Sequence, residues 1–88
     1  MNWASEFTKD AERDFKKLPR NIQRQITHVL EVMATDPFQG QTRPLQGKEW
    51  KGVYRRRIGS YRLLFTTNHA ARVFVVIAIL LRSEKTYR

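Results

Sequence analysis

Between Met33 and Val53 the spacing of apolar residues changes, and no single kind of secondary structure fits both sides of the change. Ile26, Val29, Leu30 and Met33 follow Ile22 at intervals of four, seven, eight and eleven residues, which is one face of an α-helix. From Val53 the apolar residues instead recur at a period of two, as they do in a strand with one buried face. A chain of 88 residues that carries these two patterns in separate blocks is expected to form one α+β domain over residues 1–88, with helices layered on a sheet.

The elements follow in order. Asn2 to Phe7 is too short for a helix and reads as a first strand anchored by Trp3 and Phe7. Thr8 offers an N-cap oxygen, and Asp10 and Glu12 occupy the first turn, where the helix dipole favours acid. Ala11, Phe15 and Leu18 then share one face of an amphipathic helix closed by Lys16 and Lys17. Pro19 separates this helix from the second, which Asp36-Pro37 ends. Phe38 to Gly47 reads as a loop, with Phe38 and Leu45 pinning it to the core. Val53 to Ile58 and Tyr61 to Thr66 form a strand pair about Gly59-Ser60, a second turn starts at Asn68-His69, and Val73 to Leu81 is almost continuously apolar. Such a run is expected to be a central strand covered on both faces. The expected fold is a helical hairpin packed on one face of a mostly antiparallel sheet, in the order β-α-α-β-β-β, with the other face partly open.

Charge is distributed unevenly. Residues 1–44 hold seven Lys/Arg and six Asp/Glu, whereas residues 45–88 hold ten and two, giving net charges of +1 and +8. An excess concentrated in one half points to nucleic acid or an acidic partner. There is no Cys, which removes a disulfide framework and thiolate metal sites. No apolar run reaches membrane-spanning length, and Asp10, Glu12 and Arg13 break up any signal-like opening. A soluble, cytoplasmic chain is expected. His28 and His69 are far apart in sequence and make no metal site.

The densest positive charge lies in WKGVYRRRIGSYRLLF, Trp50 to Phe65, which has no acidic residue. Alternation puts Tyr54 and Ile58 on one side of their strand and Val53, Arg55 and Arg57 on the other. It likewise separates Tyr61, Leu63 and Phe65 from Arg62, Leu64 and Thr66, and puts Arg62 and Arg82 away from Tyr61 and Val75. Arg56 breaks the pattern by sharing a side with Tyr54 and Ile58, which would require its side chain to snorkel around an edge. A single strand arginine commonly does no more than keep a sheet face soluble. Four of matching parity on adjacent strands make an anion site, because guanidinium groups grip phosphate in pairs of hydrogen bonds and stay charged.

The strings TKDAERDFKKLP, PLQGKEWKGVYR, YRRRIGSYRLLF and VFVVIAIL, with the ending LRSEKTYR and the order of elements, resemble the RelE/ParE superfamily of toxins from bacterial and archaeal toxin-antitoxin pairs. The resemblance covers nearly the whole chain. It implies a ribosome-dependent, metal-independent endoribonuclease without cofactor, cutting messenger RNA in the ribosomal A site by attack of the ribose 2′-OH on the adjacent phosphate. The residues that match the family's functional set are Arg55, Arg57, Arg62, Arg82 and Tyr87. Arg62 and Arg82 would clamp the scissile phosphate, Arg55 and Arg57 would orient the nucleotide, and Tyr87 would stack on a base or move a proton. Lys51, Arg56, Lys85 and Arg88 add RNA-binding charge. The implied partners are messenger RNA, the ribosome and a cognate antitoxin with an acidic, amphipathic segment, in a toxin-antitoxin hetero-oligomer. Two alternatives stand beside this reading: a ParE-like inhibitor of DNA gyrase, and an inactive module that binds RNA or antitoxin. Leu80-Leu81 replaces the Gly-His or Gly-Lys common in the family before the last-strand arginine. Arginine is also a poor general base, which leaves Lys51, Glu49, Tyr87 or a ribosomal group for that role.

Overall fold

Thr8 joins the first strand to the first helix and ties both to the far end of the chain. Its Oγ1 accepts a hydrogen bond from the Ala11 N–H at 3.2 Å, capping α1 (Lys9–Lys16) as the sequence suggests. Its own N–H donates to the Val76 carbonyl at 3.0 Å. The preceding strand, β1 (Ala4–Phe7), therefore runs directly into the helix. The computed structural model describes residues 2–40 and 42–81.

α1 turns at Leu18-Pro19 into α2 (Arg20–Met33). The turn is held by Gln23, whose Nε2 donates to the carbonyls of Phe15 at 3.0 Å and Leu18 at 3.1 Å. These are acceptors that a helix C-terminus leaves without an intrahelical partner. Beyond α2 come β2 (Thr42–Pro44), a single 3₁₀ turn at Lys48–Trp50, β3 (Val53–Ile58), β4 (Tyr61–Asn68) and β5 (Val73–Leu81). The five strands form one sheet in the order β1-β5-β4-β3-β2. All neighbouring pairs are antiparallel except β1 with β5. The expected fold class holds, with one addition. The segment expected to be only a loop contributes an edge strand, because Thr42, Arg43 and Pro44 pair with Arg56, Arg55 and Tyr54. Proline is tolerated at such an edge, where no ladder bond needs its missing N–H.

The core fills the space between the helices and one sheet face. Ala11, Ile26, Met33, Ile58, Leu63, Phe65, Phe74, Val76 and Ile79 are its buried residues, with Phe15, Leu18, Ile22, Val29 and Leu30 packed against them. Both helical faces read from the sequence are thus the faces that pack. Aromatic rings extend the core toward the chain's start: Phe74 meets Phe65, Phe65 meets Tyr54, Tyr54 meets Phe38, and Phe38 meets Trp3, at centroid separations of 5.1–6.4 Å. Phe38 therefore pins its loop as expected. His69 is exposed but stacks on Phe38 at 5.6 Å with an interplanar angle of 10°.

β5 is internal to the sheet, as expected, but its alternation departs from a strict period of two. Leu64 pairs with Ala78 while Phe65 pairs with Val76, so Ile77 has no partner in β4. This bulge reverses the alternation along β5. Phe74 and Val76 face the helices before it, and Ile79 faces them after it. Val75 pairs with Thr66 on the opposite face, not beside the core as a strict two-residue period assigned it. α1 serves the edge of β5 at the bulge: Thr8 Oγ1 donates to the Ile77 carbonyl at 3.4 Å, and the Ile79 N–H donates to Asp14 Oδ2 at 3.5 Å. No helix among the described residues is long and apolar enough to cross a membrane.

Phe65 is fully buried, and its replacement by Ala is expected to cost about 3–5 kcal/mol, a large part of a small domain's stability. Thr8→Ala should cost about 1 kcal/mol through the lost cap. Equilibrium denaturation in urea would check both, and a Phe65→Ala protein as stable as the parent would contradict this core.

Candidate phosphate-binding face

Two pairs of arginines face each other directly across strands. Arg43 of β2 is the register partner of Arg55, and Arg57 is the partner of Arg62 in β4. Side chains in such pairs have their Cβ atoms about 4.5–5.5 Å apart. Both pairs lie on the sheet face away from the helices, which Val53 and Leu64 share; these two are buried yet stand outside the helix-packed core. Leu64 is 2% exposed, and in the ladder it stands between Arg55 and Ala78. The face therefore has an apolar floor and a cationic rim.

The β3–β4 turn sets this alignment. Gly59 has φ +57° and no residue of the turn besides it has positive φ, as in a two-residue hairpin loop with glycine first. Ile58 and Tyr61 close the hairpin, so Arg57 and Arg62 are the next pair along. Parity then makes Arg55 the next residue on the same face.

A cleft of about 570 Å³ opens beside β3, lined by Gly40, Thr42, Arg43, Arg55 and Arg57. None of Arg43, Arg55 and Arg57 is paired with a carboxylate among the described residues, where the ion pair present is Arg13–Asp10 on α1. The Arg57 Nε is buried without a hydrogen-bond partner. Like charges directly opposite each other destabilise a sheet, and among the described residues no carboxylate pairs with Arg43 or Arg55. An anionic ligand would offset that repulsion.

The structure thus brings Arg55, Arg57 and Arg62 together and adds Arg43, from the segment expected to be a loop. The available signal was a β-branched residue and an edge-tolerated proline flanking the arginine. Arg56 starts from the helix side of β3, as its parity requires, and reaches the sheet edge, where its guanidinium lies against Gly40 of the cleft wall. Its Nη1 donates to the Gln39 carbonyl, and burial lowers its pKa from the usual value, although a guanidinium remains charged. It thereby ties the 37–40 segment beneath the sheet edge. Lys51 is exposed just before β3, and neither it nor Glu49 lines the cleft. Arg82, Lys85, Tyr87 and Arg88 lie outside the described residues. Among the described residues no three His, Asp or Glu side chains converge as a metal-binding group.

The sequence profile of the ParE toxins of type II toxin-antitoxin systems (parDE) matches residues 5–86. No curated protein matches the chain. Among solved structures, the toxin-antitoxin complex RelBE2 of Mycobacterium tuberculosis superposes with a TM-score of 0.83 at 25% identity, covering 93% of this chain and all of that one. The RelE-RelB complex of Pyrococcus horikoshii gives 0.80 at 19% identity, covering 97% and 100%. The isolated RelE toxin of E. coli gives 0.78 at 19% identity, covering 96% and 88%.

Gly40 has φ +81°, and a Cβ there would come within 2.8 Å of Arg56 Nη1. Gly40→Ala should therefore cost about 1–2 kcal/mol, from left-handed backbone and displaced guanidinium together. In an Arg56→Ala background the same change should cost less, with a coupling of about 0.5 kcal/mol or more. Strict additivity in a denaturation double-mutant cycle would show that the two residues do not press on each other.

Proposed function

The chain belongs to the ParE toxin family of type II toxin-antitoxin systems, and on that premise we propose that it is a ribosome-dependent endoribonuclease that cuts messenger RNA in the A site. The observation that carries this reading is the Arg57–Arg62 pair on the open sheet face, continuous with the cleft at Arg55. The ribose 2′-oxygen attacks the adjacent phosphorus, the bond to the 5′-oxygen breaks, and a 2′,3′-cyclic phosphate remains. Negative charge gathers on the non-bridging oxygens as phosphorus becomes five-coordinate. Fixed guanidinium donors around those oxygens stabilise the transition state more than the ground state. Arg57 and Arg62, with Arg82, hold the scissile phosphate, and Tyr87 packs on a base or moves a proton.

The 2′-OH proton needs an acceptor, and the described residues lining the cleft include no Lys, His, Asp or Glu. In this reading the acceptor is Tyr87 or a group of the ribosome, and the latter would explain a strict requirement for ribosomes. The same observation favours the second reading, a toxin of this family that grips its target without cutting RNA, as a gyrase inhibitor would. The physiological partner is an antitoxin whose acidic, amphipathic segment covers the arginines, as the RelB proteins accompany RelE in the M. tuberculosis and P. horikoshii complexes. Co-purification with it should be lost in an Arg57→Glu/Arg62→Glu variant. Retained binding would place the antitoxin's grip on the helices instead.

Primer extension on a defined message in purified translating ribosomes tests the activity. Ribosome-dependent cuts within A-site codons are expected, and Arg57→Ala or Arg62→Ala should slow them roughly 10²–10³-fold, the loss typical of removing one charge-stabilising donor. Absence of cuts, with supercoiling by DNA gyrase inhibited, would establish the second reading.

A further inference from the structure

Resting on the nuclease reading, we propose that the cleft holds two consecutive phosphates of the RNA strand, and that Arg43 on β2 is a positioning residue for the phosphate next to the scissile one. Arg55 and Arg57 are two residues apart on β3 and lie on one face, so the Arg43–Arg55 pair is displaced from the Arg57–Arg62 pair by about 6.6–6.8 Å along the strand and about 4.8 Å across the sheet, about 8 Å between their centres. That step is comparable to the distance between neighbouring phosphates in an extended nucleic-acid strand. Each pair consists of direct register partners, with no carboxylate beside Arg43, Arg55 or Arg57 among the described residues.

A single phosphate at Arg57 and Arg62 would leave the second like-charge pair uncompensated. One nucleoside bridging two phosphates would bring the second of them to the Arg43–Arg55 pair. The cleft volume of about 570 Å³ is in the usual range for small-ligand sites, so a nucleotide fits beside β3. The arrangement also gives the strand a direction. The scissile phosphate lies toward β4 and its neighbour toward the sheet edge, where Gly40 and Thr42 form the outer wall. Arg43 thus acts by fixing register, holding the strand so that the reacting phosphate rests between Arg57 and Arg62.

The probes are thymidine 3′,5′-bisphosphate and thymidine 3′-monophosphate, whose deoxyribose has no 2′-OH and cannot be cleaved. Calorimetric titration of the full chain at low salt should show the bisphosphate binding about tenfold or more tightly, the worth of one additional charged contact. Arg43→Ala should collapse that ratio toward one, Arg43→Lys should restore part of it, and Arg57→Ala should weaken both probes. Arg24→Ala, which removes an equal charge from the exposed side of α2, should leave the ratio unchanged. A ratio unaltered by Arg43→Ala, or lowered as much by Arg24→Ala, overturns the two-phosphate register. Failure of the unaltered protein to bind either probe overturns the phosphate reading of the whole face as well. Selective binding without ribosomal cleavage would instead uphold the register and refute the nuclease.

Discussion

The bulge at Ile77 is the constraint on which the two faces of this protein depend. An unbroken two-residue alternation through β5 would turn either Phe74 and Val76 or Ile79 away from the helices. One unpaired residue resolves the conflict, so that all three join the core. The cost of an irregular ladder is offset locally. β1 ends at Phe7, and α1 takes over its role along the β5 edge, with Thr8 bonding to the carbonyls of Val76 and Ile77 and Asp14 accepting from the Ile79 N–H. Helix capping, strand pairing and core packing therefore meet at one threonine. The same reversal puts Leu80 opposite Arg62 on the open face.

Much of this could be read from residues whose information is local. The helix faces, the Thr8 cap and the Gly59-Ser60 hairpin each depend on neighbours within a few positions, and the hairpin alone was enough to align Arg55, Arg57 and Arg62. What escaped reading depends on distant pairing. VFVVIAILL contains no polar residue to mark its register, so a bulge inside it leaves no trace in composition. β2 is three residues long and becomes a strand only because β3 lies beside it. Arg43 therefore looked like loop charge. His69 gave no hint of its ring contacts with Phe38 and Trp3, because the three rings come from the start, middle and end of the described chain.

The two faces of β3 show how one run of three arginines is divided. Arg55 and Arg57 project to the open side and remain without carboxylates among the described residues, whereas Arg56 projects to the helix side and is used internally, bonded to Gln39 and packed against Gly40. Composition alone would group all three as one basic patch. Alternation separates them, and the Gly40 approach shows why the middle guanidinium is a structural tie: the outer wall of the cleft rests on it.

The Arg43–Arg55 register pair, with no carboxylate beside it among the described residues, has a further meaning for the free protein. Like charges in such a pair oppose folding, so part of the folding free energy is spent on keeping the pair together. Any anion that occupies the cleft returns that portion and stabilises the fold in proportion to its binding. The melting temperature of this domain is thus a property of its bath as well as of its sequence. An anion that binds the cleft would make it report occupancy there, and in the cell it would couple the lifetime of the free toxin to whichever polyanion is at hand.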